Sequence, residues 1–219
     1  MNTDEAKKQE IVDRLAWNNS VDANDVNVLV DGDTARLEGT VPSYAAKITA
    51  ENEAYLIDGI MHVKNLLEIA FPPEILIRDD DEIVNNIESQ YKWNSQLNAE
   101  NINVKSSDGI VTLEGKVYSY WEKSIAEAIA NSSVGVMGVN NNLTVLPRKS
   151  FIDVDIENDI KRELEKNPLI DESKLNVSVS NGIVTLSGHV RYRVIKQQVI
   201  DIVTYSAGVI DLVDELTIG

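Results

Sequence analysis

The side chains able to do acid–base or nucleophilic chemistry are few and scattered. Of 219 residues two are histidine, His62 and His189, and none is cysteine. Disulfides, thiolate chemistry and cysteine-ligated zinc are thereby excluded together. A catalytic histidine needs a neighbour to orient it and a reacting group within reach, and these two stand far apart in the chain without matched partners. Both are read as surface or packing residues. Two acidic series, Asp79-Asp80-Asp81-Glu82 and Asp153-x-Asp155-x-Glu157, carry the oxygen ligands that hard cations take. The second lacks the glycine of a calcium loop and is interleaved with Val154 and Ile156. Both series are therefore read as linker followed by a helix start, where the dipole favours carboxylates. No catalytic residue, metal ligand or cofactor is assigned, and the chain is expected to be non-enzymatic.

More chemical content lies in a segment that occurs three times: Val41-Pro-Ser-Tyr44-Ala-Ala-Lys47, Val117-Tyr118-Ser-Tyr120-Trp121-Glu-Lys123 and Val190-Arg191-Tyr192-Arg193-Val-Ile-Lys196. Tyrosine and tryptophan join an apolar body to a polar tip, which suits a membrane headgroup layer or a protein interface. Arg191, Arg193 and Lys196 stand at a predicted helix start, where the dipole prefers an anion, so they are poorly placed for stability and well placed to grip phosphate. Tyr118, Tyr120, Trp121, Lys123, Arg191, Tyr192, Arg193 and Lys196 are the candidate lipid- or anion-binding residues. The plainer alternative is that the rings staple the helix to the preceding hairpin or pack one repeat on the next.

Behind these segments is a threefold repeat. Thr34-Ala-Arg-Leu-Glu-Gly-Thr-Val41, Ile110-Val-Thr-Leu-Glu-Gly-Lys-Val117 and Ile183-Val-Thr-Leu-Ser-Gly-His-Val190 align without gaps on Gly39, Gly115 and Gly188. Three further glycines, Gly59, Gly135 and Gly208, each open a closing segment of one pattern. The period is too long for an ordinary solenoid, so each unit is a small domain. Ile83, Ile87 and Tyr91, like Ile156, Ile160 and Leu164, recur at helical spacing. Val26, Val28 and Val30 alternate with polar residues, as do Leu175, Val177 and Val179, and turns at Asp108-Gly109 and Asn181-Gly182 join such runs to the next strand. Repeat one departs here, with Gly32 one place early and Asp33 at the turn-glycine position. A second helix is predicted over 46–57, 122–133 and 195–206, ended by Gly59, Gly135 and Gly208 as C-caps, and a last alternating strand follows.

The fold class expected is α+β: three tandem αββαβ domains at 4–70, 80–146 and 153–219, each a three-stranded sheet with two helices on one face. Asn65, Asn141 and Asp214 share one position, expected to tie a strand end to the backbone. The linkers Phe71-Pro-Pro-Glu-Ile-Leu-Ile77 and Pro147-Arg-Lys-Ser150 separate the domains, and Phe71, Ile75, Leu76 and Ile77 are expected to pack neighbours together.

The V-x-V hairpin strand, the D-G-x-V-x-L-x-G-x-V return strand and the G-V-x-x-V-x-N-x-L-x-V closing segment resemble the BON (bacterial OsmY and nodulation) domain, in three copies over nearly the whole chain. The resemblance implies bacterial, non-enzymatic binding modules of the envelope that contact phospholipid surfaces, in an osmotic-stress context. The leading expectation is thus a protein that binds a phospholipid membrane surface or an envelope-associated partner. The alternative is an intracellular scaffold or stress protein that binds another protein, a glycan or small ions and never touches lipid.

Charge constrains either reading. Thirty-six acidic against twenty basic side chains give a net charge of −16, which repels nucleic acid, so none is expected as partner, and weakens attraction to anionic membranes. The deficit is uneven. Residues 1–75 hold six basic and fourteen acidic side chains, a net −8, and 150–219 hold seven and twelve, a net −5. The opening MNTDEAKKQE has neither the basic nor the apolar region of a secretory leader. A cytoplasmic location is expected, or a periplasmic one if a leader precedes the given sequence.

Overall fold

The computed structural model describes residues 3–72 and 79–218. Among them, repeat one forms α1 (Asp4–Trp17), β1 (Val26–Asp31), β2 (Thr34–Val41), α2 (Tyr44–Tyr55) and β3 (His62–Ile69). Repeat two forms α3 (Asp80–Trp93), β4 (Ile102–Ser107), β5 (Ile110–Val117), α4 (Tyr120–Asn131) and β6 (Gly138–Val145). Repeat three forms α5 (Asp153–Glu165), β7 (Leu175–Ser180), β8 (Ile183–Val190), α6 (Arg193–Tyr205) and β9 (Asp211–Ile218). There are three separate three-stranded sheets, ordered β1-β2-β3, β4-β5-β6 and β7-β8-β9. The class is α+β, with αββαβ in each repeat, as the sequence pattern predicts. Ile75, Leu76 and Ile77 lie outside the described residues.

The chain divides into two compact units, one holding repeat one and residues 79–87 with Lys105–Val111 and Ala130–Val139, the other holding Glu88–Val104, Thr112–Ile129 and the chain from Asn140 on, all of repeat three included. In repeat one, Ile11 and Leu15 of α1 and Ala46, Ala50 and Ala54 of α2 share a core with Val28, Ala35, Leu37, Val41 and Leu67 of the sheet. Repeat three builds the same core from Ile156, Ile160 and Leu164, Ile195, Val199 and Val203, and Val177, Val184, Leu186, Val190 and Leu216. Both helices thus cover one sheet face. The equivalent residues of repeat two, among them Ile83, Ile87, Tyr91, Leu113, Val117 and Ala126, are also buried.

The strand order follows from the connections. A two-residue turn makes β1 and β2 antiparallel, with Asp31 opposite Thr34, and the α2 crossover brings β3 back parallel to β2, with Gly39 opposite Leu67. β7, β8 and β9 repeat this register. Asp108 and Gly109, like Asn181 and Gly182, have positive φ at both turn positions, the requirement of a type I′ turn. In repeat one only Gly32 does, at φ 61°, which is the requirement of type II′. The early glycine therefore changes the turn type and leaves the hairpin register intact.

Each turn is held from the first helix. Asp80 accepts from the amides of Asp108 (2.9 Å) and Gly109 (3.0 Å) and from the Ser106 hydroxyl. Asp153 accepts from the amides of Asn181 (2.8 Å) and Gly182 (2.9 Å). In repeat one Asp4 accepts from the Gly32 amide at 3.3 Å, and Lys7 adds bonds to the carbonyls of Gly32 and Gly59. A second close approach lies at the far end of the hairpin, where a Cβ on Gly39, Gly115 or Gly188 would stand 1.9, 2.0 or 2.2 Å from the carbonyl oxygen of Asp25, Asn101 or Lys174. Only glycine fits there.

Two boundaries differ from the sequence pattern. The second helices begin two residues earlier than predicted, at Tyr44, Tyr120 and Arg193, because in repeats one and two a serine caps them: Ser43 Oγ accepts from the Ala46 amide and Ser119 Oγ from the Glu122 amide, both at 3.1 Å. Gly59, Gly135 and Gly208 have positive φ as expected, yet they do not cap the helices, which end at Tyr55, Asn131 and Tyr205. Gly59 is third in a turn closed by the Ile60 amide on the Ile57 carbonyl, and Gly135 is third in the matching turn from Ser133 to Val136. A positive φ at that position is what a type II turn demands.

Two expectations follow. Gly188→Ala should cost about 2 kcal/mol or more, since it adds a backbone clash to an unfavourable φ; equal denaturation midpoints for variant and parent would reject the close-approach argument. The Ser106 hydroxyl and then the Gly109 amide hold the Asp80 carboxyl below its ordinary value of 3.8. Its contribution is therefore present above that value and lost as pH falls through the depressed one. Asp80→Asn should lower the melting temperature at neutral pH, and the difference should close in acid.

Candidate functional site

The start of the second helix is built differently in each repeat. In repeat two, Ser119 and Glu122 form a reciprocal cap, the Glu122 carboxylate accepting from the Tyr118 amide at 2.6 Å. In repeat three Tyr192 takes the cap position and its side chain makes no capping bond. The Tyr192 carbonyl accepts from the amides of Ile195 and Lys196. Arg191 and Arg193 flank this bare start.

The eight candidate residues divide between two environments. Tyr118 is half-buried with the Arg148 guanidinium 4.0 Å from its ring centroid, so the linker folds back on repeat two. Tyr120 packs against the core of repeat three; burial, and then the charges of Asp211 and Glu127, push its hydroxyl pKa up. Trp121 stacks on Tyr205 of repeat three, with centroids 4.3 Å apart and planes at 29°. The Lys123 carbonyl accepts from the Asn141 amide group at 3.1 Å. Lys196 turns inward: its ammonium lies 2.8 Å from the Asp214 carboxylate, donates to the Leu216 carbonyl at 2.7 Å, and its side chain is 15% exposed. Arg191 and Tyr192 remain at the surface and Arg193 is half-buried. Arg191 and Tyr192 line a cleft of about 590 Å³ with Leu169, His189 and Ile195.

The structure thus brings Tyr120 and Trp121 onto the neighbouring repeat and Lys196 into an internal ion pair. Arg191, Tyr192 and Arg193 form a separate basic-aromatic spot.

The shared position in the last strand is a structural tie in all three copies. Asn65 donates to the Lys47 carbonyl (2.9 Å) and the Glu51 carboxylate (3.1 Å) and accepts from the Leu67 amide (3.3 Å). Asn141 does the same with Lys123, Glu127 and Leu143. In repeat three the position of that glutamate is Ile200, and the residue is Asp214, which accepts from the Leu216 amide at 3.0 Å and pairs with Lys196. Losing the glutamate removed an acceptor, and a carboxylate that recruits a lysine replaces the amide that donated to it. Within the acidic runs, Asp79 caps α3 through the Glu82 amide at 2.8 Å, Asp80 and Asp153 hold their hairpin turns, and Glu157 pairs with Lys161. His62 opens β3 and His189 lies near the end of β8, 3.2 Å from the Thr217 hydroxyl.

Two residues that the motif reading passed over stand out. Trp17 is 87% exposed and Trp93 89%, the highest values among the large apolar residues described. They occupy the same position, the last residue of α1 and of α3. Each lies two residues past the last core position of its helix, Leu15 and Tyr91, about 200° round the axis and so away from the sheet. Helical periodicity, combined with the shared Trp17-Asn18 and Trp93-Asn94 pairs, carries that signal in the sequence. Trp17 overlooks a cleft of about 580 Å³ lined by Asp13, Arg14, Asn19 and Glu53. Beneath it Glu53 braces the two helices, accepting from Arg14 at 2.8 Å and Asn18 at 3.0 Å.

A family model described as the BON domain matches residues 3–70, 79–147 and 152–219. The chain belongs to the BON domain family. Over 117 residues it is 30% identical to the outer membrane lipoprotein DolP of Haemophilus influenzae, a match that spans 51% of this chain and 61% of that protein. Structures of CdsD, a structural protein of the type III secretion system of Chlamydia trachomatis, align over 96% of the chain at 13% identity with a TM-score of 0.28. Among the described residues no helix is long and apolar enough to cross a membrane, and no group of three acidic or histidine side chains is placed to hold a metal ion.

The tie of repeat three is testable. Lys196→Met strands the partly covered Asp214 carboxylate and should cost roughly 1 kcal/mol. Adding Asp214→Asn should recover part of it. Chemical denaturation reads both, and a double variant weaker than the single would reject the pairing.

Proposed function

We propose that this tandem BON protein is a non-catalytic binder of phospholipid surfaces that makes contact through Trp17 and Trp93. Membership of the BON family and likeness to an outer membrane lipoprotein fit a membrane- or envelope-associated binding role. The observation that carries the finer reading is the exposure of two indoles at one repeat position. An indole offers a large apolar face and one N–H donor, the combination enriched where hydrocarbon meets headgroup. Insertion requires no attraction of opposite charges, which suits a chain of net charge −16. Tyr120, Trp121 and Lys196 are engaged within the protein, whereas the indoles at the ends of the first helices face outward.

The test is flotation with zwitterionic vesicles, followed by tryptophan fluorescence. The parent should bind with little dependence on salt and shift its emission to the blue. If each ring buries about half its apolar surface, Trp17→Ala and Trp93→Ala should each weaken binding about tenfold. In the double variant the remaining Trp121 should report no shift. Undiminished binding by the double variant would remove these rings as the contact, and no vesicle binding by the parent would pass the assignment to a protein partner.

A further inference from the structure

We propose that the chain associates with itself head to tail, the start of α6 in repeat three docking on the end of α2 in repeat one of a second copy. Repeats two and three meet through a defined junction. There the start of α4 supplies Tyr120 and Trp121, while the end of α6 supplies Tyr205 and the start of β9 supplies Asp211. The two sides of this contact are different faces of one repeated domain, which makes the contact heterologous. A heterologous junction uses one face of each kind. Repeat three therefore retains a face equivalent to the one repeat two uses, and repeat one retains a face equivalent to the one repeat three offers.

The residues at those retained faces suit each other. In the repeat register Val194 takes the place of Trp121 and Arg193 that of Tyr120, while Leu56 takes the place of Tyr205 and His62 that of Asp211. Val194 is 52% exposed and Leu56 39%, with Met61 beside the latter face at 51%. The charges differ between the two faces: Arg191 and Arg193 stand on the repeat-three side, and the repeat-one side carries Asp58 together with Lys7, whose ammonium is already engaged by the Gly32 and Gly59 carbonyls. Exposed Arg191 and Tyr192 stand three and two residues before Val194 in the chain, whereas exposed Asp58 follows Leu56 by two, in the repeat that carries a net −8. Copies of a chain with net charge −16 repel one another in most orientations. This pairing sets a basic spot against the most acidic repeat, so charge selects the orientation and the apolar pair supplies burial. A heterologous contact repeated between copies grows into a ring or an open filament.

Sedimentation velocity of the full chain without lipid tests this, from micromolar to submillimolar concentration at low and high salt. The parent should grow beyond a dimer as concentration rises, and less so at high salt. Val194→Asp and Leu56→Asp should each weaken association about tenfold or more, with Asp58→Arg as a milder change on the repeat-one face and melting temperature confirming the fold of all three. An equimolar mixture of Val194→Asp and Leu56→Asp retains one intact face of each kind and should form a dimer and stop. A parent that stays monomeric or stops at a dimer, single variants that associate like the parent, or a mixture that stays monomeric would each overturn the proposal.

Discussion

The close approach of backbone to backbone at Gly39, Gly115 and Gly188 is the constraint on which each repeat depends. The carbonyl that ends the short turn after the first helix occupies the space a Cβ would need. This lets the first strand begin directly against the end of the second, with Val26 opposite Gly39 and Leu175 opposite Gly188. With that register set, Val28 and Val177 face the same way as Leu37 and Leu186, and one side of each sheet becomes apolar. The helices have only that side to cover.

A domain of this size buries little core, and side-chain bonds to backbone supply what packing does not. One carboxylate from the first helix holds the hairpin turn, and one Asn or Asp from the last strand ties that strand to the second helix. The ties differ in detail because their partners do. Repeat one adds a lysine where the others have isoleucine, and repeat three exchanges an Asn–Glu bond for an Asp–Lys pair. The backbone need is constant and the chemistry that meets it is interchangeable.

The same freedom lets equivalent positions take different tasks. The start of the second helix is a plain serine cap in repeat one, a docking surface in repeat two and an uncapped basic-aromatic spot in repeat three. The end of the first helix bears an exposed tryptophan in repeats one and two, and Lys166 in repeat three. Neither position belongs to the core, so each can change without disturbing the fold.

Periodicity in the sequence by itself determined the threefold repeat, the αββαβ order and most of the core, because alternation and helical spacing report which residues face inward at short range. The glycines at the hairpin exit were equally legible, since an unvaried Gly in three aligned strands marks a place without room for a side chain. The tertiary structure alone decided where the rings and cations of the second-helix segment went. Trp121 meets Tyr205, and Lys196 meets Asp214, across a separation that no local period encodes. Asp80 and Asp153 look like ordinary acidic helix starts until the fold brings turn amides 28 and 29 residues away into reach. A side chain's type and spacing state what it can bind; its neighbours in space decide whether that capacity is already taken.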